Sequence, residues 1–194
     1  MFERTITGVG LGLIMACQSA TVAPAPPPAM PTASHGVEQF FPLKDGIVYA
    51  YDTSSSSGDK GMLALEIRRT RSGAVELIVA GRTRRLELDD TGLRHATGGW
   101  LLKLPLTEGA TYPGDFGQVK VTSVDRKISV PLGNFAGCLE TVEAVSNDQL
   151  SKRTTTVFCP GVGIVQRQTD AETDTEAGSE TLVLRSFGPR VQDL

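Results

Sequence analysis

Cys138-Leu-Glu-Thr-Val-Glu-Ala-Val-Ser-Asn-Asp-Gln-Leu-Ser-Lys-Arg-Thr-Thr-Thr-Val-Phe-Cys159 is the stretch whose reading decides the fold. It reads as a β-hairpin with a cysteine at the outer end of each arm. The arms, Cys138–Ser146 and Ser151–Cys159, are nine residues each and flank the polar turn Asn147-Asp148-Gln149-Leu150. The midpoint between the cysteines falls between Asp148 and Gln149, so a symmetric hairpin sets Cys138 directly opposite Cys159. Opposed non-hydrogen-bonded residues of an antiparallel pair lie roughly 4.5 Å apart at Cα, near the lower limit for a disulfide. The same register pairs Leu139 with Phe158, Thr141 with Thr156 and Val142 with Thr155, all favourable cross-strand partners. A disulfide closing this loop contributes roughly 3 kcal/mol in the chain-entropy account. It also places the domain in an oxidising compartment.

Outward from the hairpin, the flanking residues read as structural. Pro160 cannot donate to a ladder, and Gly161 and Gly163 permit positive φ, so the chain is expected to turn sharply after Cys159. Ile164–Thr169 then returns as a strand beside the hairpin. On the other side, Gly133 and Gly137 flank Phe135, whose ring is expected to lie beneath a strand bend, with Phe158 extending the cluster.

The rest of the domain repeats with period two. Leu63, Leu65 and Ile67 alternate with polar or small residues, as do Val75, Leu77 and Val79, then Leu86 and Leu88, Val119 and Val121, Ile128, Val130 and Leu132, and Leu182 and Leu184. Each run reads as a half-buried strand, apolar inward and polar outward. Turn signals separate them at Ser54–Gly58, Ser72-Gly73, Gly81, Asp89-Asp90, Gly98-Gly99 and Asn147-Asp148. No stretch combines an N-cap with sustained helical spacing. The expected strands are 47–52, 61–70, 74–80, 82–88, 91–96, 99–104, 117–124, 126–132, 138–146, 151–159, 163–169 and 181–187. Pro105–Gly117 is read as a surface crossover. The fold class is therefore all-β: a single antiparallel meander forming a curved sheet or partial barrel, with the stapled hairpin near the C-terminal third.

The N-terminus reads as a targeting device. Ile6–Ala16 is an eleven-residue apolar run, too short to span a bilayer and of the length of a signal-peptide core. It ends in Leu13-Ile-Met-Ala-Cys17, which is similar to the bacterial lipobox, whose cysteine is lipidated. Cysteine counting agrees, since three cysteines leave an even pair once Cys17 carries lipid. Gln18 follows Cys17, and by likeness to enteric lipoprotein sorting this favours the outer membrane over retention by Asp at that position. Thr21-Val-Ala-Pro-Ala-Pro-Pro-Pro-Ala-Met-Pro31 holds five prolines and no charge, the composition of a semi-rigid extended tether. The chain thus divides into a lipoprotein signal peptide (1–16), a lipidated cysteine with Pro/Ala-rich tether (17–36) and an antiparallel β-domain (37–194). The domain is long enough for one genuine core.

Composition narrows the function. The formal net charge is −3 with no basic stripe and one tryptophan, so nucleic acid is excluded as an expected partner. The two histidines are His35, in the tether, and His95, expected as a surface residue at a strand end. His95 with Asp89, Asp90 and Ser72 sketches a hydrolase triad, but no Gly-x-Ser-x-Gly elbow accompanies it. No His pair or spare cysteine supplies a zinc site, and Gly161-Val-Gly163 precedes no helix, as a phosphate cradle requires. Asp170, Glu172, Asp174 and Glu176 fall on one side of an extended chain and offer oxygen ligands for Ca²⁺. A solvated hairpin tip explains the same composition.

Three segments together resemble a known group. Asp45-Gly-Ile-Val-Tyr-Ala-Tyr51, Val130-Pro-Leu-Gly-Asn-Phe135 followed by Cys138, and Phe158-Cys-Pro-Gly-Val-Gly-Ile-Val165 are similar in order and spacing to the motifs of the TapB-like bacterial envelope β-domains, many of them lipoproteins of unknown function. The resemblance implies a curved antiparallel sheet or partial barrel, and it transfers no catalytic residue and no cofactor. The expected function is a non-enzymatic, lipid-anchored binding or accessory module. Its concave face would meet a hydrophobic small molecule, another envelope protein or a glycan. A periplasmic carrier of lipid on a half-barrel, and an unrecognised hydrolase, are the alternatives.

Overall fold

The computed structural model describes residues 36–190. The signal segment 1–16, Cys17, the tether through residue 35, His35 and the last four residues lie outside the described residues. Among the described residues there are twelve strands and no helix: β1 (Ile47–Ser55), β2 (Lys60–Arg69), β3 (Val75–Val79), β4 (Arg82–Asp89), β5 (Gly92–His95), β6 (Trp100–Lys103), β7 (Thr111–Pro113), β8 (Gln118–Val130), β9 (Gly133–Ser146), β10 (Leu150–Cys159), β11 (Gly163–Thr173) and β12 (Ala177–Pro189). They form one antiparallel sheet in the order β6-β5-β4-β3-β2-β1-β12-β11-β10-β9-β8-β7. Consecutive strands pair throughout except β6 and β7. The ring is completed instead by β1 and β12, the first and last strands, over nine partner positions. The outcome is a nearly closed barrel whose seam lies between β6 and β7.

The stapled hairpin has the register its sequence dictates. Leu139 opposes Phe158, Thr141 opposes Thr156 and Val142 opposes Thr155. Cys138 and Cys159 form a disulfide with Cα atoms 4.3 Å apart. Beyond Cys159 the chain turns at once: the Val162 amide donates to the Cys159 carbonyl (3.1 Å), and Gly161 adopts φ 72°, the left-handed region a side chain disfavours. Gly163 opens β11 beneath Phe41 and Tyr49. Phe158 is fully buried and meets Phe41 edge to face, with ring centroids 6.4 Å apart. Phe135 opposes Ile128 and packs half-buried against the core.

Two-residue alternation directs one set of side chains inward, and their chemistry changes along the strands. At the end where residue 36 enters, the interior holds Tyr49, Tyr51, Ile67, Leu93, Leu102, Leu139, Phe158 and Leu184, each 2 % exposed or less. Val37, Phe41 and Leu43 precede β1 and are buried in the same cluster, where the Gly161 amide donates to the Gln39 carbonyl (2.8 Å). Burial of each such large apolar side chain stabilises by roughly 1.5–3 kcal/mol. Inside this floor the Tyr51 hydroxyl donates to the Ile164 carbonyl at 2.9 Å, so its polar end is satisfied. Toward the other end the inward positions turn polar: Thr141 then Glu143 on β9, Thr156 then Thr154 on β10, Arg167 then Thr169 on β11, and Arg84 then Arg82 on β4, opposite Leu77 and Val79.

Several expectations are corrected. The expected strands 117–124 and 126–132 are one strand, β8, whose alternation is broken by register shifts between Val121 and Ile128. The expected crossover Pro105–Gly117 contains β7, three residues that pair with β8. The strand expected from Cys138 begins at Gly133, so Gly133 and Phe135 are members of a ladder. A merged strand and an added one cancel, which leaves twelve strands.

Candidate functional site

The polar end of the interior carries the chemistry. His95 is the last residue of β5 and opposes Leu86, which turns its ring inward. Its side chain is only 14 % exposed, a correction to its reading as a surface histidine. The turn Gly98-Gly99 then brings β6 back beside it. Across the seam, the loop after β7 presents Asp115. His95 Nε2 lies 3.3 Å from Asp115 Oδ2, and the Gly99 amide donates to Asp115 Oδ1 at 3.0 Å. The backbones touch here: a Cβ on Gly99 would fall 1.8 Å from the Gly114 carbonyl oxygen, so only glycine permits the approach. Tyr112 on β7 adds a 3.4 Å hydrogen bond from its hydroxyl to the Leu101 carbonyl.

A second carboxylate holds the same loop from its own side of the seam, on β9. Glu143 Oε1 accepts from the amides of Phe116 (2.7 Å) and Gly117 (3.0 Å). Residues 114–117 are therefore a latch, fixed to the end of β5 and the β5–β6 turn through Asp115 and to β9 through Glu143. Lys152 stands 4.2 Å from the centroid of the Phe116 ring and caps it. Beneath the latch is a small pocket of about 40 Å³. His95, Trp100, Asp115, Glu143, Thr156 and Arg167 are among its walls.

The electrostatics of this pocket converge on His95. Burial holds its proton affinity below the ordinary histidine value of 6.5. Asp115 and Glu143 act against that shift, while Arg84 on β4 and Arg167 on β11 reinforce it. His95 Nδ1 is buried and has no hydrogen-bond partner among the described residues. With Nε2 facing Asp115, the neutral ring carries its proton there and Nδ1 presents a lone pair. No threonine hydroxyl of the pocket is hydrogen-bonded to it.

The partners sketched from sequence lie elsewhere. Asp89 caps the β4–β5 turn, accepting from the Thr91 hydroxyl (2.6 Å) and the Thr91 and Gly92 amides (2.8 and 3.1 Å), and these bonds hold its carboxyl below the usual range. Ser72 bonds Thr70 in the β2–β3 turn. The true carboxylate neighbour, Asp115, comes from the segment read as a crossover. The acidic run is split in the same way. Asp170 and Glu172 face outward on β11, where Asp170 opposes Arg153 and accepts from Gln168 Nε2 at 3.2 and 3.3 Å. Asp174 and Glu176 belong to the β11–β12 tip, closed by the Thr173 amide on the Glu176 carbonyl (2.7 Å). Among the described residues no three such ligands gather for a metal ion. A shallow cleft of about 460 Å³ runs over the outer face here, with Ser151, Arg153 and Glu172 in its walls.

No protein-family model matches the chain, and no curated protein matches it. Among solved structures, a Bacteroides fragilis protein described as exported and of YmcC-like fold is similar at 12 % identity, over 77 % of this chain and 98 % of that one, with a TM-score of 0.49. A protein of Parabacteroides distasonis described as a lipoprotein is similar at 12 % identity over the same shares, with a TM-score of 0.41. At these scores neither likeness bears on activity or location.

Proposed function

We propose that the protein is a lipid-anchored bacterial envelope protein that acts as a non-enzymatic binding or accessory module. Its domain would stand off the outer membrane on the Pro/Ala-rich tether. The observation that carries the module reading is the filled interior: the apolar half is occupied by the chain's own aromatic and aliphatic side chains, and the enclosed space left beneath the latch is about 40 Å³. That is room for about one water molecule, not for an acyl chain. Binding is therefore assigned to the polar mouth and the outer face rather than to a lipid-filled concavity. Anchoring is supported by the lipobox-like run ending at Cys17, by the pairing of the other two cysteines with each other, and by the resemblance to TapB-like envelope domains.

The test is metabolic labelling of the full chain with a palmitate analogue in a bacterial host, followed by fractionation. Wild type is expected to label and to sediment with the outer membrane, and Cys17→Ser to lose both properties. An unlabelled, freely periplasmic wild type would remove the anchor. Native mass spectrometry of the same preparation addresses the module: a stoichiometric co-purifying lipid in addition to the anchor would reinstate the carrier.

A further inference from the structure

We propose that the seam of the barrel closes over one bound water molecule, which bridges His95 Nδ1 to the row Thr141, Thr156 and Arg167 on the other side of the seam. The inference concerns the closure itself and goes beyond the module reading.

Three observations meet at this point. The first is a buried acceptor: His95 Nδ1 makes no hydrogen bond among the described residues. Asp115 faces Nε2, so Nδ1 is left with a lone pair that only an O–H or N–H can satisfy. Leaving such an acceptor unpaired forfeits its desolvation free energy. The second is room of the right size. The pocket beneath the latch is about 40 Å³, enough for about one water and too small for an organic ligand.

The third is the character of the walls. Thr141 on β9 opposes Thr156 on β10, and Thr156 opposes Arg167 on β11, so three polar side chains stand side by side on the inner face. All three line the pocket with His95. Thr154 pairs its hydroxyl with that of Thr169 at 3.0 Å, whereas no hydrogen bond engages the hydroxyls of Thr141 and Thr156 among the described residues. Apolar cavities stay dry, while polar ones hold water that makes about two to four hydrogen bonds. The water donates one O–H to His95 Nδ1 and accepts from the Arg167 guanidinium or a threonine hydroxyl. Its second O–H turns to a threonine oxygen.

The bridge stands where the sheet supplies none. His95 ends β5, the row belongs to β9–β11, and no backbone ladder joins β6 to β7 between them. Residues 114–117 cover the water, and Asp115 and Glu143 hold that cover in place. The water therefore leaves only when the latch opens, and its residence time reports the opening of the seam.

The experiment is oxygen-17 relaxation dispersion of the solvent around the full chain in detergent at neutral pH, which reads long-lived water oxygens and not labile hydroxyl protons. Wild type is expected to show about one more long-lived water than His95→Phe, which removes the acceptor. Thr156→Val is close in shape and keeps the His95–Asp115 contact. It is expected to lower the same signal, and it carries the test if His95→Phe does not fold. Asp115→Asn weakens the latch and is expected to shorten the residence time about fivefold or more. Nitrogen-15 spectra of labelled histidine, assigned by the signal lost in His95→Phe, are expected to place the proton on Nε2 with Nδ1 as a hydrogen-bonded acceptor. The same dispersion amplitude in wild type and both pocket variants would overturn the proposal, as would a proton on Nδ1. An unchanged residence time in Asp115→Asn would detach the water from the latch and remove its part in the seam. Failure of the palmitate labelling removes the anchor and leaves this measurement intact, so the two readings fail separately.

Discussion

The barrel closes in two places, and they are built differently. β1 and β12, from the two ends of the domain, zip together over nine partner positions of backbone ladder, with one irregularity at Ala50–Tyr51. β6 and β7 are neighbours in sequence, yet they share no ladder. They meet through Asp115 on the Gly99 amide and on His95, through Tyr112 on the Leu101 carbonyl, and through a glycine–glycine contact. A backbone ladder tolerates many side chains, whereas a latch of a few side chains is specific and opens locally at low free energy. The polar pocket sits under the latch and not under the ladder. Function is therefore assigned to the weaker closure.

The largest test breaks the strong closure. Tyr51 opposes Leu184 across β1 and β12 and bonds the Ile164 carbonyl of β11, so it ties three strands. Tyr51→Ala is expected to cost about 3–5 kcal/mol of global stability in denaturant titrations. Tyr51→Phe isolates the hydroxyl at about 1–2 kcal/mol. An alanine loss below about 1 kcal/mol would mean that β1 and β12 do not hold the ring together. Removing the staple comes next. Replacing Cys138 and Cys159 together by alanine is expected to cost about 2–4 kcal/mol, also globally, since both residues lie in the core.

The latch should respond locally instead. Glu143→Gln and Asp115→Asn each replace an ionised acceptor of backbone amides by a neutral one, a loss of about 1–2 kcal/mol. The expected signature is faster amide exchange at Phe116 and Gly117 in the first variant and at Gly99 in the second, with β1 and β12 unaffected. Uniform acceleration around the whole ring would show that the seam is no weaker than the rest, and the contrast between the two closures would be lost.

Legibility in the sequence follows the same division. The hairpin register was readable because two cysteines and a polar turn are symmetric about one point, and local symmetry survives folding. The strands were readable wherever alternation was unbroken. β8 reads as two strands because its register shifts interrupt the period, and β7 escapes the pattern because Thr111-Tyr-Pro113, hemmed by proline and glycine, is too short to show one. The pocket was not readable. His95, Asp115, Glu143 and Arg167 come from four separate segments, and only the closing of the ring brings them together. Arg84 offers one local signal, an arginine at an inward phase of a strand whose next inward residue is Leu86, but its meaning depends on the opposite wall.

The smallest effect concerns the latch and pH. Burial, with Arg84 and Arg167 facing His95 from β4 and β11, lowers its proton affinity in the folded state, while Asp115 in the latch and Glu143 on β9 oppose the shift. The unfolded chain therefore binds a proton on this ring more readily than the folded one. By linkage, folding stability from this group is present at neutral pH and declines as pH falls below about 6.5, toward the depressed folded value. His95→Gln removes that component and keeps a polar side chain at the site. Wild type is expected to lose more stability than the variant between pH 7 and the lower end of that window, with unfolding midpoints measured at each pH. Parallel pH profiles would mean that His95 reaches solvent freely. The seam would then already be open, and the latch would not distinguish the two closures.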